Sequence, residues 1–180
     1  TLSMGKAVPE VMRRAFAQLR NGRPGPVLVE IPVDVFADEV SEPIDYVPSF
    51  KTRSTPEPDA VEAAARALND AERPVLYAGQ GVHFATAYDE LRELAELLSI
   101  PVTTSLEGKS AFPEDHPLSL GSGGRAIPEP VHHFLEESDL IFGIGCSFGI
   151  TGFGLYIPRY KSKIIHATID SGHLNRALRA

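Results

Sequence analysis

Four short apolar runs constrain the fold more than anything else in this sequence: Pro74 to Ala78 (PVLYA), Pro101 to Thr104, Leu140 to Ile144 and Lys163 to Ile169 (KIIHATI). Each has the length of a strand. Between them lie stretches of helical period. Pro58 to Asn69 puts Val61, Ala64, Ala65 and Leu68 on one face, and Pro128 to Ser138 uses Val131, Phe134 and Leu135. The clearest helix, Ala85 to Leu98, gathers Tyr88, Leu91, Leu94, Ala95 and Leu98 into one stripe and leaves Asp89, Arg92, Glu93 and Glu96 outside it. Strands alternating with helices of this length call for parallel pairing through right-handed crossovers, with helices on both faces of the sheet. Residues 59–180 are therefore expected to form one Rossmann-like α/β domain.

The N-terminal third reads differently. Met12, Ala15, Phe16 and Leu19 share one helical face from Pro9 to Arg20, and Asn21-Gly22 ends that helix. Val27 to Ile31 is β-branched and almost continuously apolar, as in a strand covered on both faces, which needs a neighbour on each side. Such neighbours come either from the later sheet or from sequence outside this chain. Seven prolines fall between Pro24 and Pro58, and Phe36 to Thr55 carries acidic residues with no periodicity, the pattern of an extended linker. We expect residues 1–37 to be the end of a preceding domain and 38–58 the linker. The opening on Thr1 and the unpartnered helix and strand suggest a piece of a longer polypeptide.

Composition narrows the function. Seventeen Lys and Arg against 24 Asp and Glu give a net charge of −7, so the chain as a whole offers no cationic surface to nucleic acid or anionic lipid. No apolar run reaches the roughly 20 residues that span a bilayer. The single cysteine, Cys146, excludes an internal disulfide or a multi-thiolate metal site and suits the cytoplasm.

In an open parallel sheet, ligands sit outside the carboxyl ends of the strands. Here the strands run into Gly79-Gln80-Gly81, into Thr104 to Lys109, into Gly145-Cys146-Ser147 and up to Asp170. Glycines after a strand let the backbone approach a phosphate, and the following helix N-terminus adds a favourable dipole. A nucleotide or dinucleotide crevice is one reading. The other is that strand-to-helix turns use glycine whether or not anything binds, and position 84 is Phe where the full dinucleotide fingerprint has its third glycine. Asp170 suits a ribose hydroxyl or a helix cap near Gly172. Lys109 suits a phosphate or plain solvent. The adjacent His132 and His133 point about 100° apart on a helix, which is poor metal geometry. His83, His116 and His166 lack partners at ligand spacing and read as structural, and Cys146 reads as a buried apolar group. No catalytic residue and no metal ligand is expected.

Several stretches taken in order resemble the thiamine-diphosphate enzymes that decarboxylate or condense 2-oxo acids, above all the large subunit of acetolactate synthase. They are Pro9 to Phe36 (with GRPGPVLVEIPVDV), Arg73 to Val82 (RPVLYAGQGV), Ile100 to Gly121, and DLIFGIGCS with KIIHATID. The resemblance implies a three-domain enzyme, a transferase or lyase, of which this chain holds the end of the pyrimidine-binding domain and the central domain. It places the glutamate that acts on the cofactor pyrimidine, and the motif for magnesium and diphosphate, outside this chain, so the fragment alone is expected to be inactive. The parent would take a small 2-oxo acid, as a homo-oligomer. The central domain of such synthases binds FAD in a largely non-redox role, and relatives bind ADP or nothing. The matched positions for those contacts are Gly79, Gly81, Thr104, Leu106, Gly121 and Asp170. Gln80 stands where acetolactate synthases often have a third glycine, and Gly145-Cys146-Ser147-Phe148 replaces their GARFDDR-like loop. A nucleotide-binding module without thiamine chemistry is the alternative.

Overall fold

A computed structural model describes residues 1–40, 43–123, 127–149 and 161–180. They fall into two compact units, Thr1–Thr55 and Pro56–Ala180.

In the first unit, a 3-10 turn at Gly5–Ala7 leads into α1 (Val8–Arg20), with Pro9 in the first turn, where a missing N–H costs nothing. Asn21 closes the helix. Its side chain donates to the Ala17 carbonyl at 3.1 Å, while its Oδ1 accepts from the Thr52 amide at 2.7 Å and the Thr52 hydroxyl at 2.8 Å. This single amide ties the helix end to residues 31 positions away. A short helix, α2, covers Val33–Phe36. The expected strand at 27–31 does not form a ladder: all five strands of the sheet lie in the second unit. Leu28 is 91% exposed, and this stretch gains only isolated backbone bonds such as Leu2 N–H to Glu30 O at 2.9 Å. A β-branched run records a preference for a sheet, but the partners must be supplied from elsewhere.

The second unit runs α3 (Pro58–Asp70), β1 (Pro74–Ala78), α4 (Gly81–Ala85), α5 (Tyr88–Leu98), β2 (Val102–Thr104), β3 (Ser119–Ser122), α6 (Glu129–Glu137), β4 (Leu140–Ile144) and β5 (Lys163–Ala167), with a final 3-10 turn at Ser171–His173. The strands are all parallel, in the order β3-β2-β1-β4-β5. The chain winds outward from β1 to β3, then returns to lay β4 on the other side of β1. The direction of winding thus reverses between β1 and β4, and Leu76 of β1 lies between Val102 and Phe142.

Two-residue periodicity along β1 builds a core on each face. Leu76 and Ala78 pack with Leu68, Leu91, Ala95 and Phe112 under α3 and α5. Val75 and Tyr77 point the other way, to Val131 and Leu135 of α6, Ile141, Cys146 and Ile164. The parallel sheet with helices on both faces is as expected. Three local features differ. The helix expected from about Ala85 to Leu98 starts at Tyr88, and the glycine loop expected before it contains the short α4, which ends at Thr86 with a left-handed φ of 55°. The loop expected after β2 contains β3. The last strand ends at Ala167 rather than Ile169. The expected glycine loop from Gly145 to Gly154 lies beyond the described residues from position 150 on, as does Gly124.

Candidate functional site

At the carboxyl edge of the sheet, the backbone ladder continues one residue past each strand. Gly123 N–H donates to Thr104 O at 2.9 Å, Ser105 N–H to Ala78 O at 2.9 Å, Gly79 N–H to Ile144 O at 2.8 Å and Gly145 N–H to Ala167 O at 2.8 Å. At the β1 turn a second bond follows, from Gly81 N–H to Gly145 O at 2.8 Å. The turns after β1 and β4 are in backbone contact. A Cβ on Gly81 would lie 2.6 Å from the Gly145 Cα, and one on Gly79 would lie 2.5 Å from the Cys146 Cα. Gly145 has φ +62°, and a Cβ there would meet Gly81 and Val82 backbone atoms at 2.7 to 2.8 Å, so both space and dihedral demand glycine.

The other anticipated positions spread along the same edge. Thr104 is buried and shares a 2.8 Å hydroxyl contact with Ser122, while Thr103 Oγ1 donates to Gly121 O at 2.9 Å. Leu106, on the loop after β2, is half exposed. Gly121 has φ +91°, with open space where a Cβ would stand. Asp170 caps the 3-10 turn by accepting from Gly172 N–H at 2.9 Å and faces His173 Nε2 at 3.3 Å. Gly79, Gly81, Thr104, Leu106 and Gly121 thus belong to the β1–β2–β3 side. Asp170 follows β5, and the ends of β2 and β5 are three strand spacings apart, roughly 14 Å.

Titratable groups here are arranged for packing. Burial, aided by the nearby Cys146 and Glu107, raises the Tyr77 phenol, whose ring stacks on Phe148 with centroids 5.5 Å apart. Burial pushes the Cys146 thiol up to about 12, against the lowering effect of the Phe148 and Cys146 amides. At neutral pH it is an uncharged thiol inside the core. Each remaining histidine of the edge is committed. His166 Nε2 donates to Cys146 O at 2.9 Å, and His83 Nε2 to Lys109 O at 3.0 Å with Nδ1 facing the Tyr88 hydroxyl at 3.2 Å. His116 accepts from Leu118 N–H on Nδ1 and reaches Glu96 through Nε2 at 3.1 Å. Lys109 pairs with Glu114. Among the described residues, no group of three or more His, Cys, Asp or Glu side chains could hold a metal ion, and no helix is long and apolar enough to cross a membrane.

Sequence reasoning passed over His173, which is buried with its ring against Asp170. The available signal was the three-residue spacing from a strand-end aspartate, weak because such spacing is common.

Residues 61–180 match the family described as thiamine pyrophosphate enzyme, central domain. The chain belongs to that family. Among curated relatives it is 39% identical to the probable acetolactate synthase large subunit of Methanocaldococcus jannaschii, over 96% of this chain and 30% of the relative. It is 39% identical to the acetolactate synthase large subunit of Corynebacterium glutamicum, over 94% of this chain and 28% of the relative. It is 37% identical to the glyoxylate carboligase of Escherichia coli O157:H7, over 99% of this chain and 30% of the relative. The X-ray structure of an enzyme from Mycobacterium smegmatis, assigned as thiamin diphosphate-dependent, superposes with a TM-score of 0.77 at 29% identity, covering 96% of this chain and 34% of that one. This thiamine pyrophosphate enzyme central domain spans about 30% of the length of the curated relatives it matches.

Proposed function

We propose that the chain is the central, non-catalytic part of a thiamine-diphosphate-dependent 2-oxo acid decarboxylase or carboligase of the acetolactate synthase type. The observation that carries this reading is the match of 94–99% of the chain to enzymes about three times its length. Residues 1–37 then close a preceding domain and 38–58 link it to the sheet. Supporting this, Leu28, Val33, Phe36 and Phe50 are 78% exposed or more, apolar surface that further chain would cover.

Thiamine diphosphate, when bound by the parent, supplies the carbanion chemistry next to a 2-oxo group. The described side chains do not fit its magnesium: Asp170 and Glu114 are turned to local partners, and Glu107 stands without the further carboxylates or histidines a metal ion needs. What this chain contributes is a rigid sheet that fixes the distance and orientation of the segments joined to it, and a surface for assembly of a homo-oligomer. Substrate choice lies outside it, because acetolactate synthases and a glyoxylate carboligase match it at 37–39% identity alike. The one thiol, buried and uncharged, suits a cytoplasmic enzyme.

The test is the polypeptide translated from the whole reading frame that contains this sequence. Purified with thiamine diphosphate and magnesium, it is expected to release carbon dioxide from pyruvate or glyoxylate. A folded product that consumes neither these nor any other 2-oxo acid would overturn the reading.

A further inference from the structure

The switch point between β1 and β4 is where an open parallel sheet ordinarily takes a phosphate, with the first glycine turn offering its amides and the next helix its N-terminus. We infer that in this chain the Gly79-Gln80-Gly81 turn is a backbone latch joining β1 to β4, and that no nucleotide phosphate or pyrophosphate is seated on it. This deepens the reading given above and rests on it only for the expectation that a nucleotide belongs here.

Most of the hydrogen-bond donors of the turn are accounted for. Gly79 N–H donates to Ile144 O and Gly81 N–H to Gly145 O, each at 2.8 Å, while Val82 and His83 N–H donate back to Gly79 O at 3.1 Å and Gln80 O at 3.0 Å. Four of the five amides from Gly79 to His83 are spent on carbonyls within the fold; among the described residues the Gln80 amide has no acceptor, and a single donor does not make a phosphate cradle. A phosphate that drew on the Gly79 and Gly81 amides as well would have to break those bonds and leave the Ile144 and Gly145 carbonyls without donors, a loss its own contacts only replace. The glycines have a sufficient reason to be there without a ligand. Backbone of the β4 turn lies 2.5 to 2.8 Å from where their Cβ atoms would be, and Gly145 is left-handed.

The helices along this edge add no alternative seat. α4 has five residues, too short for an aligned dipole. The first turn of α5 carries Asp89 and Glu90, and that of α6 carries Glu129 together with Pro130, which has no N–H. Like charge repels a phosphate at both. Among the described residues of the edge, Lys109 is paired with Glu114.

Amide exchange in the 180-residue chain labelled with 15N-glycine tests the latch. In the absence of nucleotide, the Gly79 and Gly81 amides are expected to exchange about a thousandfold more slowly than in a free peptide, as ladder amides do. Their resonances are expected to stay in place when millimolar ADP or FAD is added. Gly81→Ala is expected to lower the melting temperature of the nucleotide-free chain by about 5–10 °C. Fast exchange at either glycine without nucleotide, or saturable movement of either resonance with ADP or FAD, would overturn the inference. Saturable movement confined to other glycines, such as Gly121 or Gly123, would uphold the latch and place a nucleotide elsewhere on the domain. No movement anywhere would uphold the latch while removing the nucleotide expected of the central domain. Loss of the thiamine reading by the full reading frame would leave both outcomes legible.

Discussion

Asp139 shows how much a single half-buried carboxylate contributes to this fold. It sits just before β4, and its two oxygens accept the Glu72 amide at 2.7 Å and the Arg73 amide at 2.9 Å, fastening the start of β1 to the start of β4. Burial alone would raise its carboxyl, but these amide donors, with the Arg73 guanidinium, outweigh it and hold the group below the ordinary carboxylate range. A carboxyl depressed in the folded state stabilises that state fully above its unfolded value, near pH 4, and loses the contribution as pH falls through its folded value. Asp139→Asn should therefore cost about 1 kcal/mol at neutral pH, the scale of a charge-assisted bond discounted for exposure. It should also flatten the acid limb of a plot of urea midpoint against pH. An unchanged acid limb would show that the clamp contributes nothing. Nothing in the sequence marked Asp139, because its role depends on which strand lies beside β1.

At the scale of elements, the strands β1, β2 and β4 were legible because their side chains are apolar enough to be covered on both faces, and α5 because its stripe faces Leu76 and Val102. Ser119–Ser122 carried no such signal. β3 is an edge strand of small polar residues held by hydroxyls, with a register shift beside Val102 and Thr103, and it forms because β2 offers a ladder. The reverse holds for 27–31, where the apolar pattern is strong and the ladder is absent. The short α4 was invisible for a different reason: five residues are too few to show a helical period, and the left-handed Thr86 that ends it has no glycine to announce it. A β-branched residue at φ 55° is strained. Replacing it by Gly should thus stabilise the chain by up to about 1 kcal/mol, read as a higher urea midpoint at constant slope. A lower midpoint would mean that the hydroxyl bond to Ala85 O at 2.6 Å outweighs the strain.

For the molecule as a whole, the sheet order places the β1 and β4 turns side by side, and this governs how the candidate site is read. The rule that ligands gather at strand ends located Gly79, Gly81, Thr104 and Leu106 along one edge from the sequence, and the family resemblance added Gly121. It could not say whether their amides were free, because hydrogen-bond partners come from strand order and not from strand ends. Family membership is in hand, while several described edge groups are committed to local partners: His166 to Cys146, Asp170 to Gly172, Lys109 to Glu114. The most direct test of the claim that bond-breaking lies outside these residues is the release of labelled carbon dioxide from 1-14C-pyruvate by the purified 180-residue chain, supplied with thiamine diphosphate and magnesium. The account predicts release no faster than in cofactor alone; turnover that scales with the amount of chain would contradict it.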